Sequence, residues 1–426
     1  MIRIRDPIHG CIKVTDAELA IIDNRVFQRL RGIKQLGFTD QAFPGATHSR
    51  YAHGLGAMSV ATSMFDAVFP DVGSPLHPSD RARLRQLVRL SLLLHDVGHP
   101  PASHASESAM PNRSALGLSC FTPAQQNSRA SHEDYTVKLI LDSELAQLLS
   151  THFRDLGVEP EDVAHLISGY FPERSEGFVI GGVNYAPLLG QMVSGEMDAD
   201  RMDYLQRDSF YAGVSYGKFD QSWLLENLGY HVEGNSAYMA LTNRAVFAFE
   251  DFLLSRYHMF VSVYYHYIPV GFDTMLARYY AEAPDEFALP ADVDGYIATD
   301  DIALWARLRK SNNRWAQLLA NRRSYRRVLE VGTAEEIDLD ELGAQLETKN
   351  IDHFISRDEG VVSKYYAGSA AAHPMYVFHK NLGDVRPISE YAKVFDRYAQ
   401  PTRLMRIYVR PDQANDAEKV VAALRS

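Results

Sequence analysis

The chain's 426 residues, 46% of them apolar and 11% aromatic, can bury one large core or two, because single cores stop growing beyond about 250–300 residues. A formal net charge of −11 argues against a generic nucleic-acid surface, where binding is mostly neutralisation of phosphate by Lys and Arg. The opening Met1-Ile2-Arg3-Ile4-Arg5-Asp6 lacks a signal peptide's apolar segment, no uncharged apolar run nears the roughly 20 residues of a membrane span, and Cys11 and Cys120 are too few for a disulfide framework; a soluble, cytoplasmic protein without membrane contact is expected.

From the N-terminus, Thr15-x-x-Glu18 is a capping-box signature. Apolar residues at three- and four-residue spacing predict helices at about 17–36, 53–69, 80–95, 133–149, 159–170, 187–209 and 245–281, with little β-like alternation among them. Ala105–Ser131, rich in Ser, Pro, Asn and Gln, reads as a long loop. After about residue 285 the character changes: a helical stretch at 300–330, mixed segments, a strand at Arg403–Val409 and a closing helix at Ala414–Leu424. The expected fold class is mainly α, a helical body at 1–285 with a smaller α+β part at 286–426.

Chemistry concentrates at Leu92-Leu93-Leu94-His95-Asp96-Val97-Gly98-His99, where a His-Asp pair closes an apolar helix and a second His follows one turn on. Neighbours on a helix point about 100° apart, so both can reach one metal only at a helix end, with further ligands from elsewhere. His53, in the turn-to-helix run after Pro44, and Asp200, in Met197–Tyr204, are the candidates. Without a Cys-x-x-Cys spacing the ligands must be imidazole and carboxylate, a set that suits Mn, Fe, Ni, Zn or Mg without selecting among them. Such a centre suits hydrolysis, because the ion polarises phosphate and acidifies bound water.

The order His53, His95-Asp96, Asp200 follows an H…HD…D pattern. With Arg5–Gly10, Phe27–Gly37, His48–Gly56, His95–His104 and Asp200–Asp208, it resembles the HD-domain metal-dependent phosphohydrolases, and their deoxynucleotide triphosphohydrolase branch in particular, over roughly the first 270 residues. The resemblance implies an HD-domain helical bundle holding one divalent metal per site on His53, His95, Asp96 and Asp200. It implies phosphate contacts by Arg50, Arg201 and Arg256, with Tyr264 packing on the nucleoside. Arg201 stands where Lys is usual, and Phe260 and Tyr265 replace polar residues near the base. His104 is implied as the proton-transfer group, supported by His132, by Glu107 where an Asp is usual, and by His99; imidazole titrates near neutral pH. An alternative makes His99, His104 and His132 ligands of a second metal. Gln35 and Asp208 match contacts to the ribose 3′-hydroxyl, while Leu36 and Tyr204 match a wall at C2′ that excludes a 2′-hydroxyl.

The implied reaction is dNTP plus water to deoxynucleoside plus tripolyphosphate. Asp23, Gln28 and Arg31 resemble a GTP or dGTP activator site of the kind that lies between subunits, implying a homo-oligomer, tetramer or dimer, with 286–426 as an oligomerisation and regulatory region. Two alternatives stay open. One is an HD-type phosphodiesterase or nucleotidase on cyclic or monophosphate nucleotides. The other is a nucleic-acid- or effector-binding regulator with a vestigial site, sustained by the acid-free run of Arg307, Arg309, Lys310, Arg314, Arg322, Arg323, Arg326 and Arg327, a pattern more often a solvated helix face.

Overall fold

The computed structural model describes residues 1–332, 337–360, 374–379, 383–392 and 402–424. A hairpin of β1 (Ile2–Asp6) and β2 (Gly10–Val14) leads into α1 (Asp16–Ile22), which Thr15 and Glu18 open with the anticipated capping box. The helix predicted at 17–36 is interrupted: Asn24 caps α2 (Arg25–Gln28), and a 3-10 turn at Arg29–Gly32 ends it. The centre of the body is α3 (Arg50–Val68) packed on α4 (Pro78–Leu94), with Ala57, Met58, Ala61, Phe65, Leu87, Leu90 and Leu94 in one continuous core.

Polar caps divide two of the other predicted helices. Ser143, extended and accepting from the Leu145 amide, separates His132–Asp142 from Glu144–Phe153. Asp198, accepting from the Arg201 amide, starts Ala199–Ala212 after Ala186–Ser194 has stopped short of Gly195. The 245–281 segment is Val246–Met259, a π turn at Phe260–Tyr264, and Tyr267–Glu282 begun by His266. The 105–131 loop carries 3-10 turns at Ser103–Ala109 and Arg113–Leu116 and a helical turn at Pro123–Gln126.

Between the helices predicted at 187–209 and 245–281, where no element is predicted, lie two strands. Leu228–Glu233 pairs antiparallel with Ser236–Thr242, and the latter runs parallel to Tyr376–His379 from the C-terminal region. Beyond residue 285, the 300–330 stretch gives helices Asp301–Lys310 and Arg314–Ala320 but turns to strand at Arg326–Gly332, so the basic run spans three elements and is no single helix face. Thr402–Val409 lies between Arg326–Gly332 and His353–Gly360, antiparallel to both. Leu339–Thr348 and the closing Ala414–Leu424 bury Leu342, Leu346 and Val420 against Leu329, Val331 and Ile407 of that sheet. The protein is thus mainly α, with an α+β C-terminal part. A further core joins Phe38 and Ala102 to Phe272, Met275, Trp315 and Tyr408, tying the C-terminal part to the loop after His99. No helix among the described residues is long and apolar enough to cross a membrane.

Candidate metal centre and adjoining cavity

Small residues let α3 and α4 meet. A Cβ on Gly54 would lie 3.1 Å from the Leu93 carbonyl oxygen and 3.2 Å from the Phe27 ring, and this approach sets His53 beside His95. His95 is the C-cap of α4 and Asp96 stands in the turn just beyond the helix end, the kind of position at which an adjacent pair can serve one point. Asp200 comes from the first turn of Ala199–Ala212.

These groups converge. His53 Nε2 lies 3.0 Å from Asp200 Oδ1, 3.2 Å from His95 Nε2 and 3.6 Å from Asp96 Oδ2. His95 Nε2 lies 3.4 Å from Asp96 Oδ1 and 3.5 Å from Asp200 Oδ1. Both rings spend Nδ1–H elsewhere, His95 on the Leu92 carbonyl (2.7 Å) and His53 on Asp203 Oδ2 (2.7 Å). Neutral rings assigned in this way confront each other with two Nε2 lone pairs among carboxylates, an arrangement that calls for a cation. Burial opposes charge on His53, yet its hydrogen bonds to Asp200 and Asp203 prevail and push it up to about 10, the same preference for positive charge. In donor type the four groups fit a divalent metal.

Beneath His53 is a network to which the sequence reading assigned no role. Asp203 Oδ1 accepts from His9 Nε2 (2.6 Å), 194 residues away in sequence. Arg207 donates Nε and Nη2 to Asp203 at 2.8 and 2.9 Å, and Nη1 to Asp6 Oδ2 at 2.9 Å. Asp6 in turn accepts the amides of Ile8 and His9 at the β1–β2 turn. The spacing Asp200, Asp203, Arg207 puts all three on one helical face, the one signal that could have drawn attention to them.

On the other side of the pair, Gly98 presses the chain against His132–Asp142: a Cβ there would fall 2.1 Å from the His132 carbonyl oxygen and 2.2 Å from the Thr136 amide nitrogen. The His99 ring therefore stacks on His132 with centroids 3.9 Å apart and planes at 16°. His104 Nδ1 and His132 Nδ1 both donate to Glu107 Oε1, at 3.0 and 2.5 Å. Burial disfavours the Glu107 carboxylate, but His104 and His132 outweigh burial and hold it well below its usual range. Burial, then Arg50 and His132, holds His99 far below the usual imidazole range, so this ring is neutral. Asp96, despite burial, is kept ionised by Arg50, His95 and His99.

A cavity of about 480 Å³ opens on this centre. Asp96, Asp200, His99, His104 and His132 line it, together with Gln35, Leu36, Arg50, Tyr204, Asp208 and Tyr264. Arg50 pairs through Nη1 with Asp96 Oδ2 and donates Nε to Ser103 Oγ at 2.9 Å. The Asp208 carboxylate accepts from His48 Nε2 (2.7 Å) and Tyr264 Oη (2.8 Å), while Gln35 Oε1 is buried with no hydrogen-bond partner among the described residues. Arg201 and Arg256 are not among the lining residues; they reach Asp198 (3.1 Å) and Glu196 (3.3 Å). Both act on Tyr204, whose hydroxyl burial pushes up to about 12 against their pull. Asp23, Gln28 and Arg31 lie outside the cavity, where Arg31 donates Nε to Gln28 Oε1 (2.7 Å) and covers the Tyr51 ring.

A helical body that brings two imidazoles and two carboxylates to one point beside a cavity defines the class, a helical His/Asp metal centre. Residues 50–208 match the HD domain and residues 219–367 the HD associated region, and the chain belongs to the HD-domain phosphohydrolase family. An uncharacterized protein of Methanocaldococcus jannaschii is 32% identical over 326 residues, 76% of this chain and 59% of that one. The deoxynucleoside triphosphate triphosphohydrolase SAMHD1 homolog of Dictyostelium discoideum is 30% identical over 293 residues, 68% of this chain and 50% of that one. The crystal structure of a hypothetical protein from Aquifex aeolicus matches with a TM-score of 0.75 at 26% identity, covering 99% of each chain. The chain spans between half and three fifths of the length of these two curated relatives.

Proposed function

We propose that the protein is a divalent-metal-dependent deoxynucleoside triphosphate triphosphohydrolase, splitting a dNTP with water into deoxynucleoside and tripolyphosphate. One observation carries the reading: a single cavity of about 480 Å³ is lined at once by metal-ligating carboxylates, an imidazole cluster, and the Gln35, Leu36 and Tyr204 set. That volume suits a ligand of nucleotide size. The name of the Dictyostelium relative supports it.

A divalent ion held by His53, His95, Asp96 and Asp200 would supply Lewis acidity toward the α-phosphate and a more acidic bound water. The chain's own residues do the rest. Arg50, already inside the cavity, neutralises phosphate charge, and Arg201 and Arg256 extend that positive field past Tyr204. As water attacks the α-phosphorus and its bond to the 5′-oxygen breaks, His104 donates a proton to that oxygen. Glu107 holds the Nδ1 side of both His104 and His132, leaving each Nε2 free, and His104, with 67% of its side chain exposed, reloads from solvent. The unpartnered Gln35 Oε1 accepts the sugar 3′-hydroxyl, and Leu36 with Tyr204 closes off the space of a 2′-hydroxyl.

Metal analysis of the purified protein, followed by a dNTP panel with product identification, tests this. Tripolyphosphate and deoxynucleoside are expected; orthophosphate or a nucleoside monophosphate overturns it. A second reading has its own observation: His99, His104, Glu107 and His132 bring four ligand atoms within 4.8 Å of one another, which favours a two-metal phosphodiesterase or nucleotidase. Two metals per chain, one lost in His104→Ala, would decide for that reading. We also propose 1–285 as the catalytic domain and 286–426 as an oligomerisation and regulatory region. Asp23, Gln28 and Arg31 are proposed as a GTP or dGTP activator site of a homo-oligomer, tetramer or dimer; hyperbolic turnover with no change of oligomer size on GTP addition removes that assignment. The nucleic-acid regulator is the disfavoured alternative, and a gel shift insensitive to His95→Ala would support it.

A further inference from the structure

We propose that Asp273 reads the base of the bound nucleotide and selects guanine through its N1–H and 2-amino group, an inference that rests on the triphosphohydrolase reading. Asp273 lines the catalytic cavity from the helix Tyr267–Glu282. The cavity's other carboxylates are engaged: Asp96 by Arg50, Asp208 by His48 and Tyr264, and Asp200 by His53. Asp273 has no hydrogen-bond or ion-pair partner among the described residues. Burial, with Asp358 nearby, pushes its carboxyl up to about 7, and none of Arg50, Arg201 and Arg256 contributes to that shift. Asp273 shares the cavity lining with Phe260, Tyr265 and Pro269, whose rings give a base apolar surface to pack on.

Asp273 is partly buried and its carboxyl has no protein donor among the described residues, so a ligand in the cavity that brings donors is favoured there. Ionised, it accepts only, at two adjacent oxygens. Guanine is the base that offers two adjacent N–H donors on one edge. Adenine and cytosine set a donor beside a ring-nitrogen acceptor, and thymine sets one N–H between two carbonyls, so each places an acceptor against the carboxylate. Phe260 and Tyr265 add aromatic surface beside that carboxyl.

The experiment is kcat/KM for dGTP, dITP, dATP, dCTP and dTTP with wild type and Asp273→Asn, each at matched metal content. Asn keeps the shape and removes a buried charge, so the fold and the metal are retained. Wild type is expected to prefer dGTP over dITP, which lacks the 2-amino group. In Asp273→Asn, dGTP turnover should fall roughly 10–100-fold, as for loss of a charged hydrogen bond. The variant's dGTP-to-dITP ratio should approach one, and dATP, whose edge matches the amide, should gain relative to dGTP. Unchanged base preference in the variant, or a wild type that favours dTTP or dCTP, overturns the assignment while leaving the triphosphohydrolase reading intact. A wild type inert toward all five nucleotides overturns that reading, and this assignment with it.

Discussion

Asp203→Asn tests whether the buried network under the metal centre acts on the metal or only holds the fold together. Asp203 is 0% exposed and receives four hydrogen bonds, from His53 Nδ1 (2.7 Å), His9 Nε2 (2.6 Å) and Arg207 Nε and Nη2 (2.8 and 2.9 Å). Asn keeps one acceptor oxygen and turns the other into a donor, which faces N–H groups. His53 then loses the partner that fixes its Nδ1 tautomer, and a charge that keeps electron density on its ligand nitrogen. Loss of such an outer partner costs about 10–100-fold in metal affinity, or roughly 1.4–2.7 kcal/mol. The Arg207 side chain, 0% exposed, retains Asp6 and is not orphaned, so Asn should be milder than Asp203→Ala, where a broken buried pair costs about 3–5 kcal/mol. The assay is a competitive-chelator titration of metal affinity, run beside thermal unfolding of the apo and metal-loaded forms. The expected result is weakened metal binding and a smaller metal-induced rise in Tm. If Asp203→Asn binds metal as the wild type does and lowers the Tm of both forms equally, the network is a structural buttress and the reasoning fails.

Other perturbations separate the remaining roles. His95→Ala should abolish both metal retention and turnover, whereas His104→Ala should keep the metal and slow turnover by about 10²–10⁴-fold, read by metal content and single-turnover rates. Gly98→Ala should lower Tm and activity together, because its Cβ would meet backbone atoms of residues 132 and 136 at 2.1 and 2.2 Å that cannot rotate away. Glu18 is fully buried and paired with Arg89 Nε at 2.6 Å and Nη2 at 2.9 Å; burial raises its pKa, but Arg89 outweighs burial and the folded value lies below the usual 4.5. A depressed folded pKa contributes stability above about pH 4.5 that is lost as pH falls through the folded value, so Glu18→Gln should be less stable at neutral pH and should lose less on acidification. Parallel Tm-against-pH curves for wild type and Glu18→Gln would contradict this.

What could be read from the sequence was local. The cap at Thr15, the stop of α4 before His95 and the closing helix at Ala414–Leu424 each depend on a few consecutive residues, and each stands where their chemistry puts it. The His and Asp candidates came from three segments whose order could be recognised, and they lie together because Gly54 lets α3 and α4 touch. The helix breaks at Ser143 and Asp198 were missed because apolar periodicity continues through a polar cap. Leu228–Glu233 and Ser236–Thr242 were missed because strand identity there depends on cross-strand partners, one of them contributed by Tyr376–His379. The roles of His9 and Asp273 were illegible for the same reason: each is defined by what it faces across the fold.

The loop after His99 shows how the C-terminal part enters the chemistry. Ala102 and Ser103 have φ of 56° and 55°, left-handed values that cost a non-glycine residue about 1–3 kcal/mol each. Asp301, from a helix of the C-terminal part, holds this turn by accepting the amides of Ala102 (2.7 Å) and Lys34 (3.0 Å), and Ser103 Oγ donates to the Lys34 carbonyl (2.7 Å) while accepting Arg50 Nε. One carboxylate thus joins the turn that precedes His104 to the strand-like segment that leads into Gln35, and Arg50 is braced between them. Burial raises the Asp301 pKa even as those amides pull it down, so the carboxylate is kept in an unfavourable setting, as expected of a group whose role is positional. Removing it would free a strained turn rather than a metal ligand, so turnover would fall with metal content unchanged.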